Sequence, residues 1–133
     1  MKQLVLISHG NVAASYLQSL DMIAGSHHQV TAITFDGEIS KAELGQQMVE
    51  QVGSDEAIIV ADLPGGTPCN VALEQFMNND KVTILASLNL PMLLELYLNL
   101  NNTDFQIPQA VATGQDNIFD VKIKMRATAA DDE

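Results

Sequence analysis

Positive charge is scarce in this chain: six lysines and arginines stand against 17 aspartates and glutamates, for a formal net charge of −11. A surface of that sign repels nucleic-acid phosphates and anionic lipid headgroups and steers a partner with a basic face. Nucleic-acid binding is therefore excluded first. The single arginine, Arg126, sits near the C-terminus, so the body of the chain has none to clamp a phosphate. Cys69 is the one cysteine, which excludes an internal disulfide and fits a reducing compartment. No apolar run approaches the roughly 18 to 20 residues of a membrane span. The apolar stretch Leu4 to Ile7 is too short for a signal-peptide core, so a cytoplasmic place without direct membrane insertion is expected. Neither G-x-G-x-x-G nor G-x-x-x-x-G-K-[ST] occurs, which argues against a dinucleotide or a P-loop nucleotide.

What is present is a chain of 133 residues, 47% of them hydrophobic, enough for one domain with one core. Apolar segments at Leu4–Ile7, Val30–Phe35, Ala57–Ala61 and Lys81–Ala86 predict four strands. Between them lie helical patterns. Asn11 is placed to cap a helix running to Ala24, with Val12, Tyr16, Leu20 and Ile23 at helical spacing and Gly25 as its stop. Ser40 and Glu43 form a capping box before Leu44, Met48 and Val52. Thr67 and Pro68 predict an N-cap and first helical position, for a helix to about Met77. Pro91 opens a helix that is apolar almost all round, hence buried or placed in a subunit interface. A short helix is expected over 108–115.

Four strands alternating with four helices predict an α/β domain. The expected form is a doubly wound, mostly parallel sheet of order 2-1-3-4 with helices on both faces. From Ile118 to Met125, Phe119, Val121, Ile123 and Met125 alternate with Asp120, Lys122 and Lys124, which predicts an antiparallel edge strand with one wet face. That strand and the apolar helix together point to a homodimer. Residues 1–125 are expected to form the single domain, and 126–133 a flexible acidic tail.

In such a sheet the crevice beyond strands one and three is the topological switch point, the usual location of a site. Strand one ends in Ser8-His9-Gly10 and strand three in Asp62-Leu63-Pro64-Gly65-Gly66-Thr67. An imidazole and a carboxylate thus face one crevice. If Asp62 accepts a hydrogen bond from one ring nitrogen of His9, the other keeps a free lone pair, as a nucleophilic histidine requires. Gly10, and Gly65-Gly66-Thr67, precede helix N-termini that aim N–H groups at an anion. The parts describe phosphoryl transfer through His9. The plainer alternatives are an exposed or structural histidine, an aspartate that forms a turn, and a glycine-rich helix entry. His27 and His28 lack metal-ligand company and are expected to face solvent, Cys69 is expected to be a small core thiol, and no metal or cofactor is called for.

Ser8-His9-Gly10, the D-x-x-G-G-[ST]-P-x-N pattern over Asp62–Asn70, and Asn89-Leu90-Pro91-Met92-Leu93 together resemble the IIA component of the mannose, fructose and sorbose family of the bacterial sugar phosphotransferase system. The resemblance implies that His9 accepts a phosphoryl group from HPr on Nε2 and passes it to a histidine of IIB. The group then reaches a sugar through the IIC and IID membrane components. It implies Asp62 as the acidic partner of His9 and Thr67 as the hydroxyl beside the phosphoryl group. It also implies a dimer that exchanges its C-terminal strand, and a IIA unit either free-standing or cut from a longer chain.

Three rivals remain. The phosphocarrier subunit of a dihydroxyacetone kinase shares the fold and the strand-terminal histidine, but the Gly-Gly-Thr-Pro loop favours the sugar transporter branch. Histidine phosphatases place an arginine immediately before their histidine, where this chain has Ser8. A non-catalytic interaction module would never carry phosphate on His9.

Overall fold

The computed structural model describes residues 2–131. Strands β1 (Gln3–His9), β2 (Val30–Phe35), β3 (Ala57–Ala61) and β4 (Val82–Ala86) form one parallel sheet of order β2-β1-β3-β4, as expected. The alternating side chains of β1 show why its apolar run is continuous. Leu4 and Leu6 enter one core, with Ile58 and Val60, while Val5 and Ile7 enter the other, with Ile33 and Ile59. All four β1 residues are fully buried, each stabilising the fold by about 1.5 to 3 kcal/mol relative to exposure.

Helices α1 (Val12–Ala24), α4 (Leu90–Leu98) and α5 (Ile107–Asp116) cover the first core, and α2 (Lys41–Val52) and α3 (Thr67–Phe76) cover the second. The chain therefore leaves β1 toward one face and β3 toward the other. That divergence opens the crevice between them. Capping follows the local chemistry: Ser40 Oγ accepts the Glu43 N–H, and Asn89 Oδ1 accepts the Met92 N–H. Asn89 also donates to the Gly114 carbonyl, where a Cβ would stand only 3.0 Å from Asn89 Oδ1 and Met92 Cβ. Glycine at 114 is what lets α5 lie against the start of α4. With α1 and α5 packed on it, α4 buries Met92, Leu93, Leu96 and Tyr97 within its own chain, so its apolar character needs no second subunit. The Tyr97 hydroxyl reaches Asp21 Oδ1 at 2.7 Å and the Gly25 carbonyl, and burial together with the Asp21 carboxylate pushes its pKa up to about 12.

Several local expectations change. The buried stripe of α1 runs through Ala13 and Leu20, with Tyr16 and Leu17 beside them, while Val12 and Ile23 face solvent. His28 is exposed, but His27 is half-buried because its ring meets Tyr97 edge-on at 5.2 Å. Cys69 is buried in the first turn of α3.

The largest correction concerns the C-terminus. Residues 121–131 form a helix, α6 (Val121–Asp131), and the expected antiparallel strand over 118–125 is not formed. An isolated strand would leave its backbone groups unpaired, whereas a helix satisfies its own. Asp120 starts it: its Oδ1 accepts the Ile123 N–H, and its carbonyl accepts the Lys124 N–H. Alternation alone cannot provide the missing ladder partner. α6 also crosses the expected boundary at 125, so the tail is helical through Asp131; Asp132 and Glu133 lie outside the described residues.

Ser87, just beyond β4, has φ +78°, a left-handed conformation that costs a side chain about 1 to 2 kcal/mol. A Ser87→Gly chain is expected to gain about 0.5 to 1 kcal/mol after the added unfolded-state entropy, raising the melting temperature by about 2 to 4 °C. A calorimetric scan showing no rise would contradict this.

Candidate active site

The sheet register places the site. Ile7 pairs with Ala61, and the Asp62 N–H continues the ladder to the Ile7 carbonyl at 3.0 Å. Just beyond this pair the two strands part, and the side chains of His9 and Asp62 meet. His9 Nδ1 lies 2.8 Å from Asp62 Oδ2, which also accepts the His9 backbone N–H at 3.0 Å. Asp62 Oδ1 accepts the Leu63 N–H at 3.0 Å. Burial alone would raise the pKa of this carboxyl, but the bonds from His9 outweigh it and hold Asp62 below its ordinary value of 3.8. An ionised carboxylate only accepts, so Nδ1 carries a proton, and in the neutral ring Nε2 keeps its lone pair. The Asp62 side chain is 11% exposed and that of His9 46% exposed, so the carboxylate is sheltered and the imidazole presented.

The glycines act in distinct ways. Gly10 (φ +58°) turns the chain from β1 into α1. Gly65 (φ +79°) turns the loop into the start of α3. At Gly66 a Cβ would stand 2.9 Å from His9 Cε1 and 3.7 Å from Nε2, so only glycine lets the backbone come this close to the ring. Gly66 also serves as the N-cap of α3, and Thr67 is its first helical residue, one position inside the expected cap. The reason is that the Gly66 carbonyl already accepts the Asn70 N–H.

Five residues of the site have no role assigned at the level of sequence. The expected Asn11 side-chain cap is not made; instead Ser8, fully buried, accepts the Ala13 N–H at 2.7 Å and donates to the Gly10 carbonyl at 3.1 Å. It fastens the end of β1 to the start of α1 and so holds His9 between two fixed points. Phe35, the register partner of His9, meets the imidazole edge-on at 6.0 Å between centroids. Asn70 bonds back to the Gly65 carbonyl. Exposed Leu63 and Val12 flank the strand ends. The serine before the histidine was a visible signal for the first of these; the others depend on folded distances. His27 and His28 stack on each other at 6.0 Å, and no cluster of three or more potential metal ligands occurs among the described residues.

The sequence and the fold have known counterparts. The chain is 27% identical over 103 residues to the PTS system sorbose-specific EIIA component of Lacticaseibacillus casei, with 75% of each chain covered. Its fold is similar to that of a phosphotransferase system component EIIA from Streptococcus agalactiae, with a TM-score of 0.83, 27% identity, and 92% and 99% of the two chains covered. It is also similar to a PTS IIA protein associated with the fucose utilization operon of Streptococcus pneumoniae, with a TM-score of 0.84, 28% identity, and 93% and 96% covered. A family profile described as the PTS system fructose IIA component matches residues 3–111, which contain both strand ends of the site and the glycine loop between β3 and α3. The chain belongs to that family of IIA components, the phosphoryl carriers of the sugar phosphotransferase system.

Proposed function

We propose that His9 is the phosphoryl acceptor of this carrier, taking the group from a phosphohistidine of HPr and delivering it to a histidine of IIB. The observation that carries this is the 2.8 Å contact between His9 Nδ1 and Asp62, which leaves Nε2 as the exposed nucleophile. In the uptake step the Nε2 lone pair attacks phosphorus. The donor's P–N bond breaks, its electron pair returns to the donor ring, and a new N–P bond forms on His9. Positive charge grows on the His9 ring, and Asp62 stabilises it through the Nδ1–H. Catalysis of this kind needs positioning and charge stabilisation more than covalent help. The Gly65-Gly66-Thr67 entry to α3 supplies N–H groups, and Thr67 a hydroxyl, for the phosphoryl oxygens, whereas the Gly10 N–H, expected to join them, already donates to the Phe35 carbonyl at 2.9 Å. Delivery reverses the step with IIB as acceptor, in the cytoplasm, and the group continues to sugar through IIC and IID.

Incubation with phosphoenolpyruvate, enzyme I and HPr is expected to give one acid-labile phosphate per chain, mapped by mass spectrometry to His9. Label on another residue would refute the assignment.

The carrier acts as a homodimer on this proposal. Ile118, Phe119, Val121, Ile123 and Met125 are all exposed in the single chain. The outer edge of β4 is open, beside a groove of about 730 Å³ lined by Thr83, Leu85, Phe105, Ile107 and Val111. Residues 118–125 of one copy would cover that groove of the other. Sedimentation is expected to show a dimer at micromolar concentration and a monomer after truncation at residue 117; a monomeric full-length chain would exclude the arrangement.

A further inference from the structure

We infer that Asn70 is a positioning residue for phosphoryl transfer, fixing the peptide planes of Gly65 and Gly66 so that the glycine backbone stays against the His9 imidazole. The inference rests on the acceptor role proposed for His9. Asn70 lies one turn into α3, and both of its donors point back into the loop: the side-chain Nδ2–H to the Gly65 carbonyl at 3.2 Å, the backbone N–H to the Gly66 carbonyl at 2.9 Å. In a trans peptide the N–H is directed opposite to the C=O. With both carbonyls drawn toward Asn70, the N–H groups of Gly66 and Thr67 are turned the other way, free of the helix ladder. Gly66 is also the residue that approaches His9 Cε1 and Nε2 most closely through the position of its missing side chain. A phosphoryl group on Nε2 therefore arrives beside peptide planes whose tilt Asn70 sets.

The two bonds differ in what they require. Any residue but proline at position 70 makes the helical bond to Gly66, whereas the bond to Gly65 needs a side-chain N–H donor of this length. Gly65, at φ +79°, lies outside the helix and has no helical bond to hold its carbonyl. Asn70→Ala removes the donor. Asn70→Asp removes it while keeping the shape, and places a negative charge in the first turns of α3, where it favours the helix.

The test joins a structural readout with a kinetic one. In the unphosphorylated wild-type protein a nuclear Overhauser cross-peak between Gly66 Hα and His9 Hε1 is expected. In Asn70→Ala that peak is expected to be lost, with kcat for transfer from phospho-HPr down about tenfold at unchanged KM, since the displacement is a fraction of the ångström that costs about 10²-fold. A cross-peak of undiminished intensity in Asn70→Ala overturns the inference, and so does wild-type kcat in Asn70→Asp, the variant that keeps the helix favourable if alanine unfolds it. A wild-type chain that shows the Asn70-dependent cross-peak but accepts no phosphate would instead refute the acceptor role of His9, leaving the coupling between Asn70 and the ring in place.

Discussion

A His9→Ala chain is expected to carry no acid-labile phosphate after incubation with phosphoenolpyruvate, enzyme I and HPr, a fall in labelling of about 10²-fold or more. The other two histidines cannot substitute. α1 begins beside His9 and ends before His27 and His28, and its 13 residues span about 20 Å at 1.5 Å per residue. Both histidines therefore lie toward the opposite end of the sheet, and the His27 ring is turned onto Tyr97. Because the His9 side chain is nearly half exposed, its loss is expected to leave the melting temperature within a few degrees of wild type. Labelling and melting measured on one preparation separate lost chemistry from lost fold. Undiminished labelling of His9→Ala would move the acceptor elsewhere.

Asp62→Asn is expected to slow transfer by about 10²-fold or more, because the carboxylate is what keeps the proton on Nδ1; in serine proteases the same exchange in the triad costs about 10⁴-fold. The amide has no satisfactory orientation here. With its NH2 toward His9, it opposes the His9 backbone N–H and forces the ring proton to Nε2, which removes the nucleophile. With its NH2 toward Leu63, it opposes that N–H, and the growing ring charge loses its counter-ion. Each orientation leaves a donor facing a donor, a loss of about 1 kcal/mol at this partly exposed position. The measurement is single-turnover transfer from phospho-HPr, and unchanged kinetics would reduce Asp62 to a turn former.

The same pair carries a pH signature. Asp62 is held below its ordinary value of 3.8, so its unfolded form binds the proton more readily than its folded form. The stability it contributes is fully present above 3.8 and is lost as pH falls through the lowered folded value. The melting-temperature gap between wild type and Asp62→Asn is therefore expected to be constant near neutral pH and to close in acid. A gap that widens on acidification would reverse the assigned direction.

Much of this arrangement was legible before folding because its signals are local. Apolar runs bounded by glycine, asparagine or aspartate mark the four strands, and Ser40 with Glu43 and the proline at position 91 mark helix starts, since these signals operate within three or four residues. The alternation of strand and helix restricts the topology, and the topology brings His9 and Asp62 to one crevice although 53 residues separate them. The C-terminal segment shows the limit of that logic. Its period-two pattern describes a surface with one apolar face, but a strand exists only where it pairs with another, and residues 118–125 pair with none of the described strands. The segment closes its own hydrogen bonds as α6.

By itself, then, the sequence determined the layered α/β architecture and the placement of His9 and Asp62 at adjoining strand ends, because hydrophobic period, glycine punctuation and strand order are properties of neighbouring residues and their succession. Tertiary structure alone decided how that histidine is held. Ser8 in place of Asn11 ties the strand end to α1, Phe35 meets the ring from the next strand, and Gly66 approaches the imidazole as no other residue can. Asn70 anchors the loop that carries Gly66. Each is a matter of ångströms between segments far apart in the chain, and such distances are set only when the two faces of the sheet have packed.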